Sequence, residues 1–224
     1  MKLYMDPLST TTRAVRLFLF DNKIAVDEEC IELFAGEHLT EAFAAINPSQ
    51  QVPVLIDGDF KLTESSAILK YLAEKIGSPA YPTDIRARAR VNEAMDWFST
   101  GFFIAFCYFG VYTHMLPELT SLSATTRADL DHLGTHYSER YLNVLDRHML
   151  NGRPFVCGDE ITVADYLGAT YVGLGAYIDF DFSRYPNIAA WLGRMRAREG
   201  WEPAYAAFNG FASAALAEQA RGAA

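Results

Sequence analysis

Cysteine is scarce in this chain of 224 residues. Its three copies, Cys30, Cys107 and Cys157, stand far apart with no Cys-x-x-Cys pair, which argues against a disulfide framework, a structural zinc site and dithiol redox chemistry. Positive charge is short as well. Nineteen lysines and arginines face 28 acids, for a formal charge of -9, so the basic footprint of a nucleic-acid binder is missing. The one basic cluster, Arg86, Arg88 and Arg90, alternates along the chain and would spread over more than one face of a helix. No apolar run precedes Asp6 and Pro7, so no secretory signal is expected, and free thiols fit a reducing, cytoplasmic home. Gly101 to Leu116 carries no formal charge, but its sixteen residues fall short of a membrane span. Internal repeats are lacking too, and the alanine-rich tail is the one biased tract.

Against these absences stands one dense motif. Val52-Pro53 opens a short apolar run (Val54, Leu55, Ile56), an Asp57-Gly58-Asp59 turn follows, and a second run (Phe60, Lys61, Leu62) leads to Glu64-Ser65. Asp-Gly between two such runs predicts a hairpin. Proline cannot donate to a sheet ladder and belongs at a strand start or edge, where an X-Pro bond is able to be cis. In that form Val52 would turn its N–H and C=O outward, free to pair with an extended peptide. Glu64-Ser65 precedes a helical pattern carrying Ile68, Leu69 and Leu72, and free N–H groups at a helix start hold a carboxylate. Read alone, Glu64-Ser65 is more often an ordinary helix start.

Around this motif the chain divides near Gly77 to Thr83. Before it, strand-like runs at Lys2-Met5, Ala25-Ile31, Val54-Ile56 and Phe60-Leu62 alternate with helical patterns at Thr11-Asp21, Leu39-Ile46 and Ser65-Ile76, the order of a compact α/β unit. After it the pattern is helical throughout: Thr83-His114, Thr125-Leu150, Val163-Asp179, Pro186-Arg198 and the tail. Thr162 with Asp165 three residues on reads as a capping box, a folding element. The charge-free, aromatic-rich stretch from Gly101 reads as buried core or as the lining of an apolar pocket.

Several of these segments, in order, resemble the soluble glutathione S-transferases. They are Leu3 to Val15 with Ser9, Gly36-Glu37-His38-Leu39, Asn47-Pro48, Val52-Pro53, Thr63 to Ile68, Tyr81-Pro82, the Arg86 to Val91 run, Trp97 and Ile161 to Asp165. The Ser9 opening is most similar to the theta and delta classes or their bacterial relatives. The resemblance implies a thioredoxin-like glutathione-binding domain over 1–77, a linker over 78–85 and an all-helical domain with the electrophile pocket over 86–224. It also implies a homodimer, with the Arg86 to Arg90 helix near the interface, and a detoxification role.

The implied chemistry turns on Ser9. A free cysteinyl thiol has a pKa near about 8.5, so little of it is thiolate at neutral pH. A hydroxyl just before a helix can donate to the sulfur and favour the anion, with the helix end adding positive potential. Without the resemblance Ser9 is a helix cap, and its neighbours Thr10, Thr11 and Thr12 leave open which hydroxyl faces the thiol. By the same resemblance Ser65 would hold the γ-glutamyl carboxylate of glutathione, Glu64 its α-amino group, and Val52, with Pro53, the cysteinyl backbone. His38 and Gln50 or Gln51 would lie toward the glycyl carboxylate, where the family often has a basic residue and this chain has Gln51. No metal is called for.

Past Trp97, where some theta members carry polar residues, this chain has Phe102 and Phe103. Together with Phe106, Tyr112, Phe208 and Phe211 they predict an aromatic wall for a small hydrophobic electrophile. Two functions compete: a glutathione transferase that conjugates, reduces, dehalogenates or cleaves an apolar substrate, and a transferase-fold binding or partner-interaction protein without turnover.

Overall fold

A computed structural model of the chain describes residues 1–222. Strands β1 (Lys2–Met5), β2 (Asp27–Cys30), β3 (Val54–Asp57) and β4 (Phe60–Leu62) form one sheet in the order β2-β1-β3-β4. β1 and β2 are parallel, and the other neighbours are antiparallel. Parallel pairing needs a crossover, which α1 (Thr10–Asp21) supplies. The β3–β4 hairpin closes over Gly58 and Asp59, with Gly58 at φ 63°, a conformation that favours glycine. Asp57, just before the turn, accepts the Tyr71 hydroxyl at 2.6 Å and also bonds Lys75. This ties the hairpin to α3 (Ser65–Lys75). A 3-10 turn (Glu37–Leu39) and α2 (Glu41–Ile46) connect β2 to β3. The unit is thioredoxin-like, and everything after it is helical, as the sequence led us to expect.

The helix expected over Thr83-His114 begins as α4 (Ile85–Trp97), capped by Asp84, whose Oδ1 accepts from the N–H groups of Arg86 and Ala87 at 3.1 and 2.9 Å. Its winding then changes to a π-helix over Phe98–Val111 and a 3-10 turn over Tyr112–His114. Counted as one, the helix spans 30 residues, long and apolar enough by length and composition to cross a bilayer. Phe98, Phe102, Phe106 and Val111 are nonetheless buried in the protein core. Two of the three arginines of α4 find separate partners, Arg88 with Glu74 at 2.9 Å and Arg90 with Glu93 at 2.6 Å.

After the short α5 (Pro117–Thr120), α6 (Ala124–Val144) packs on the π-helical stretch. A Cβ added at Gly134 would sit 2.5 Å from the Phe109 carbonyl oxygen, so the two backbones touch. Next come α7 (Val163–Gly173), α8 (Pro186–Arg196) and α9 (Trp201–Gly222). The predicted capping box opens α7: Asp165 Oδ2 accepts the Thr162 N–H at 2.8 Å and its hydroxyl at 3.0 Å. Its Oδ1 accepts the Val156 N–H at 2.8 Å and Trp191 Nε1 at 3.0 Å.

Helix α1 is the joint between the two units. It packs against α3 on one side and α7 and α9 on the other, with Ala14, Val15, Leu17 and Phe18 fully buried. Burying four such side chains contributes roughly 1.5–3 kcal/mol for each of the larger ones. At its C-terminal end Asp21 accepts the Tyr166 hydroxyl at 2.5 Å and bonds Arg198.

Candidate active site

Three backbone segments meet at one end of the sheet, and the strand register brings them there. Tyr4 pairs with Val54, so two further residues along this antiparallel pair set Asp6 opposite Val52. Leu55 pairs with Leu62, and the same extension sets Glu64 beside Pro53. The turn after β1, the entry to β3 and the exit from β4 therefore share one edge.

The first segment is built around Asp6. Its carboxylate is 4% exposed and accepts the Leu8 N–H at 2.7 Å and the Leu33 N–H at 2.9 Å, while its carbonyl accepts the Ser9 N–H at 3.1 Å. The turn so fixed delivers Ser9 as the N-cap of α1, with extended backbone and its Oγ accepting the Thr12 N–H at 3.3 Å. Ser9 is thus the helix cap that its local sequence predicts and also a partly exposed hydroxyl on the shared edge. Thr10 and Thr12 are buried; Thr10 accepts the Tyr112 hydroxyl at 2.9 Å. Of the four hydroxyls, Ser9 and Thr11 keep access to the surface. Their oxygens lie 3.1 Å apart, and Thr11 Oγ1 donates to the Val52 carbonyl, also at 3.1 Å.

Beneath this turn lies a residue the sequence reading did not single out. Arg13 has no exposed surface. Its Nη1 donates to the Leu8 carbonyl at 2.7 Å, and its Nη2 reaches Thr10 Oγ1 at 3.4 Å. The guanidinium carbon sits 3.6 Å from the Phe208 ring centre and 5.1 Å from that of Tyr205, at distances where an aromatic face attracts a cation. Nε has no partner, and no carboxylate pairs with the group among the described residues. Burial pulls its pKa below the usual arginine value. The available signal was its spacing: Arg13 falls four residues before Leu17 on the buried face of α1.

In the second segment the Val52-Pro53 bond is cis. Val52 is buried, and its N–H has no partner within the chain among the described residues. Its carbonyl departs from the expectation: it is not free, because it takes the Thr11 hydroxyl. Asn47 shapes the approach, donating to the Gln51 carbonyl at 2.8 Å and accepting the Ser49 N–H at 3.0 Å. Gln50 is held at φ 53°, and Gln51 is exposed. His38 stands on the 3-10 turn, half-buried, its Nδ1 without a partner. No hydrogen bond joins it to Gln50 or Gln51 among the described residues.

The third segment is the start of α3. Glu64 has φ 65° and ψ 114°, a conformation that costs a non-glycine residue about 1–3 kcal/mol and tends to mark functional sites. Its side chain is exposed, and Ser65 behind it is buried as the first residue of the helix. The first N–H groups of α3 have no intrahelical acceptor and open at the shared edge, while the Ser65 side chain lies beside the buried Tyr171 hydroxyl.

Aromatic residues flank this edge. Tyr112 is fixed by its bond to Thr10, and burial raises its pKa well above the tyrosine range. Phe103 lies edge-on to Tyr112 and Tyr108 with centroids 5.9 and 5.8 Å away. Next to the Asp6-bound Leu33, Phe34 packs on Phe211 at 5.5 Å, which stacks on Tyr177 at 5.4 Å. Phe34 and Tyr108 are 46% and 44% exposed; neither was among the predicted wall residues. Three that were, Phe102, Phe106 and Phe208, are core instead, each 1% exposed or less. The π-helix turns Phe98, Phe102 and Phe106 inward as one cluster of edge-on and tilted rings, leaving Phe103 and Tyr108 less buried. Phe106 backs a separate cavity of about 210 Å³ lined by Ser138, Leu142, Phe180 and Tyr185, while Phe208 is the platform under Arg13.

All three cysteine thiols are held above their usual pKa, Cys157 at about 11 by burial. Cys107 is buried and its pKa is pushed well up by that burial. Cys30 is exposed, but burial of its thiol first and then the charges of Asp6, Glu32 and Glu37 raise its pKa. Among the described residues no group of His, Cys, Asp or Glu could hold a metal ion.

Comparisons with known proteins bear on the chain as a whole. The family model for the glutathione S-transferase N-terminal domain matches residues 1–74, and that for the C-terminal domain matches residues 125–199. Glutathione S-transferase theta-1 of Bos taurus is 37% identical over 213 residues, covering 89% of this chain and 84% of the relative. The crystal structure of human glutathione transferase theta-2 in complex with glutathione superposes with a TM-score of 0.85 at 30% identity, covering 97% of this chain and 90% of that one. A human theta-class enzyme in complex with the glutathione conjugate of 1-menaphthyl sulfate gives the same score at 30% identity, over 97% and 91% of the two chains.

Proposed function

Since the chain belongs to the glutathione S-transferase family and acts as a glutathione transferase, with glutathione as co-substrate, we propose that it is a theta-like enzyme of serine type, in which Ser9 ionises the thiol. The non-catalytic binding-module reading is not favoured. We take residues 1–77 as the glutathione-binding domain, 78–85 as the linker and 86–224 as the domain that receives the electrophile.

In this reading the Val52 N–H pairs with the cysteinyl backbone of glutathione beside Pro53, which brings the sulfur to the start of α1. Ser9 keeps its own proton and donates it as a hydrogen bond to the sulfur. Lowering a thiol pKa by about two units takes roughly 2.7 kcal/mol. A hydrogen bond to a charged acceptor contributes about 1.5–3 kcal/mol and a helix end about 0.3–1 kcal/mol, a combined range that brackets the requirement. Ser65 and the first N–H groups of α3 hold the γ-glutamyl carboxylate, and the exposed Glu64 pairs with the α-amino group. His38, Gln50 and Gln51 serve the glycyl end. Phe103, Tyr112 and Phe211, joined by Phe34 and Tyr108, form the surface for a flat or apolar electrophile, with Phe102, Phe106 and Phe208 packed behind. Attack of the thiolate on the electrophilic carbon expels the leaving group.

Members of the family are generally dimeric and pair glutathione with an electrophile. We place a homodimer contact on the face carrying Ile85, which is 80% exposed, with the Arg86 to Arg90 helix beside it, and the enzyme in the cytoplasm, where its three thiols stay reduced.

The observation that carries the reading is the shared edge: a partly exposed Ser9 at a helix start, level with Val52-Pro53 and Glu64-Ser65. The test is a thiolate absorbance titration of bound glutathione. Ser9→Ala is expected to raise the bound thiol's pKa by about one to two units, cutting kcat/KM about 10–100-fold at pH 6.5, while calorimetric glutathione affinity changes little. An unchanged titration in Ser9→Ala would remove Ser9 from the mechanism.

A further inference from the structure

The hydroxyl protons around Ser9 can be counted, and the count assigns a role to Thr11. Ser9 and Thr11 have one hydroxyl proton each. A carbonyl oxygen cannot donate, so the 3.1 Å contact between Thr11 Oγ1 and the Val52 oxygen uses the Thr11 proton. The 3.1 Å contact between Ser9 Oγ and Thr11 Oγ1 must then use the Ser9 proton. Ser9 Oγ accepts the Thr12 N–H besides. In this arrangement the serine proton is committed to Thr11, and the chain of bonds runs from Ser9 through Thr11 to Val52.

Resting on the assignment of Ser9 and Val52 above, we infer that glutathione reverses this chain and that Thr11 is the positioning residue through which it does so. The Val52 carbonyl oxygen can accept two bonds, but a cysteinyl N–H pairing there draws on the same oxygen and so weakens the bond that Thr11 makes to it. Released from it, the Thr11 hydroxyl turns and donates to Ser9 Oγ, and Ser9 is free to donate to the sulfur. Every proton still has an acceptor: peptide N–H to Val52, Thr11 to Ser9, Ser9 to sulfur. The Thr11 bond also polarises the serine hydroxyl, since a donor that itself accepts a bond donates more strongly. Occupancy of the peptide-binding strand edge is thereby coupled to aiming of the activating hydroxyl, and a ligand lacking that N–H would leave Ser9 turned toward Thr11.

The experiment is the titration of bound glutathione in Thr11→Val, Thr11→Ser, Ser9→Ala and the Ser9→Ala/Thr11→Val double variant, with glutathione affinity followed by calorimetry. Valine keeps the shape of threonine and loses the hydroxyl; serine does the opposite. Thr11→Val is expected to raise the bound thiol's pKa by about 0.3–0.5 units, a twofold to threefold loss of thiolate. Thr11→Ser is expected to titrate like wild type, and Thr11→Val to add nothing in the Ser9→Ala background. Three outcomes overturn the inference: a flat titration in Thr11→Val where Ser9→Ala shifts, equal shifts in Thr11→Val and Thr11→Ser, or a Thr11→Val shift that persists without Ser9. A flat titration in Ser9→Ala itself instead overturns the Ser9 assignment, so the two failures are distinct. Thr11 is half-exposed on the first turn of α1, and Thr11→Ala reads the same loss should the valine variant not fold.

Discussion

Two fully buried ions, one in each half of the molecule, are treated in opposite ways. Asp165 at the start of α7 has no exposed surface and four donors on its two oxygens, from Val156, Thr162 twice and Trp191. Arg13 in α1 is equally buried but has one short bond, one long one, two aromatic faces and a nitrogen without a partner. Burial pushes the Asp165 carboxyl up against its four donors and pulls the Arg13 guanidinium down. A closed network such as that of Asp165 specifies how α7, α8 and the Val156 loop fit together. An under-satisfied cation beneath the serine turn costs desolvation and returns little of it locally. The difference separates an ion closed into a network from an ion left under-satisfied beneath the serine turn, in a chain whose formal charge is -9.

Stability measurements can break this contrast. Asp165→Ala leaves four buried donors unpaired and is expected to cost about 3–5 kcal/mol in urea unfolding. Arg13→Met replaces the ion with a similar apolar volume and is expected to stay within about 1 kcal/mol of wild type. Should Arg13→Met cost as much as Asp165→Ala, the two ions are alike and the contrast fails. The smallest effect concerns the ring packed on Arg13. Burial pushes the Tyr205 hydroxyl from 10.0 up to about 12, so the folded chain keeps that proton where the unfolded chain has lost it. Its contribution is fully present below pH 10 and lost as pH rises from 10 to about 12. Tyr205→Phe is expected to flatten part of the alkaline fall in thermal stability, and an unchanged slope between pH 9 and 11 would show that another group titrates there.

Much of this was legible from local signals. Asp57-Gly58 placed the hairpin, Thr162 and Asp165 placed the α7 cap, and the apolar periods placed nearly every helix within a few residues, because each signal is complete inside one short window. The wall was less legible. From Phe98 to Val111 apolar residues occur at almost every position, so the pattern carries no phase, and the π winding that turns Phe102 and Phe106 inward has no sequence mark. Phe34 was missed because its position depends on the Asp6 bond to Leu33, 27 residues away. Thr11 was legible as one of four hydroxyls, but its link to Val52 crosses 41 residues. Long-range pairings of this kind are set by the sheet register and not by neighbours in the chain.

The Asp21 contacts have a consequence for recombination. This carboxylate belongs to the first half of the chain, while the Tyr166 and Arg198 that hold it belong to the second. Helix α1 is about 18 Å long, with the serine at one tip and this clasp at the other. A chimera that joined the first 77 residues to a foreign helical half would have to import both clasp residues, or the rod that aims the serine would be anchored at a single end.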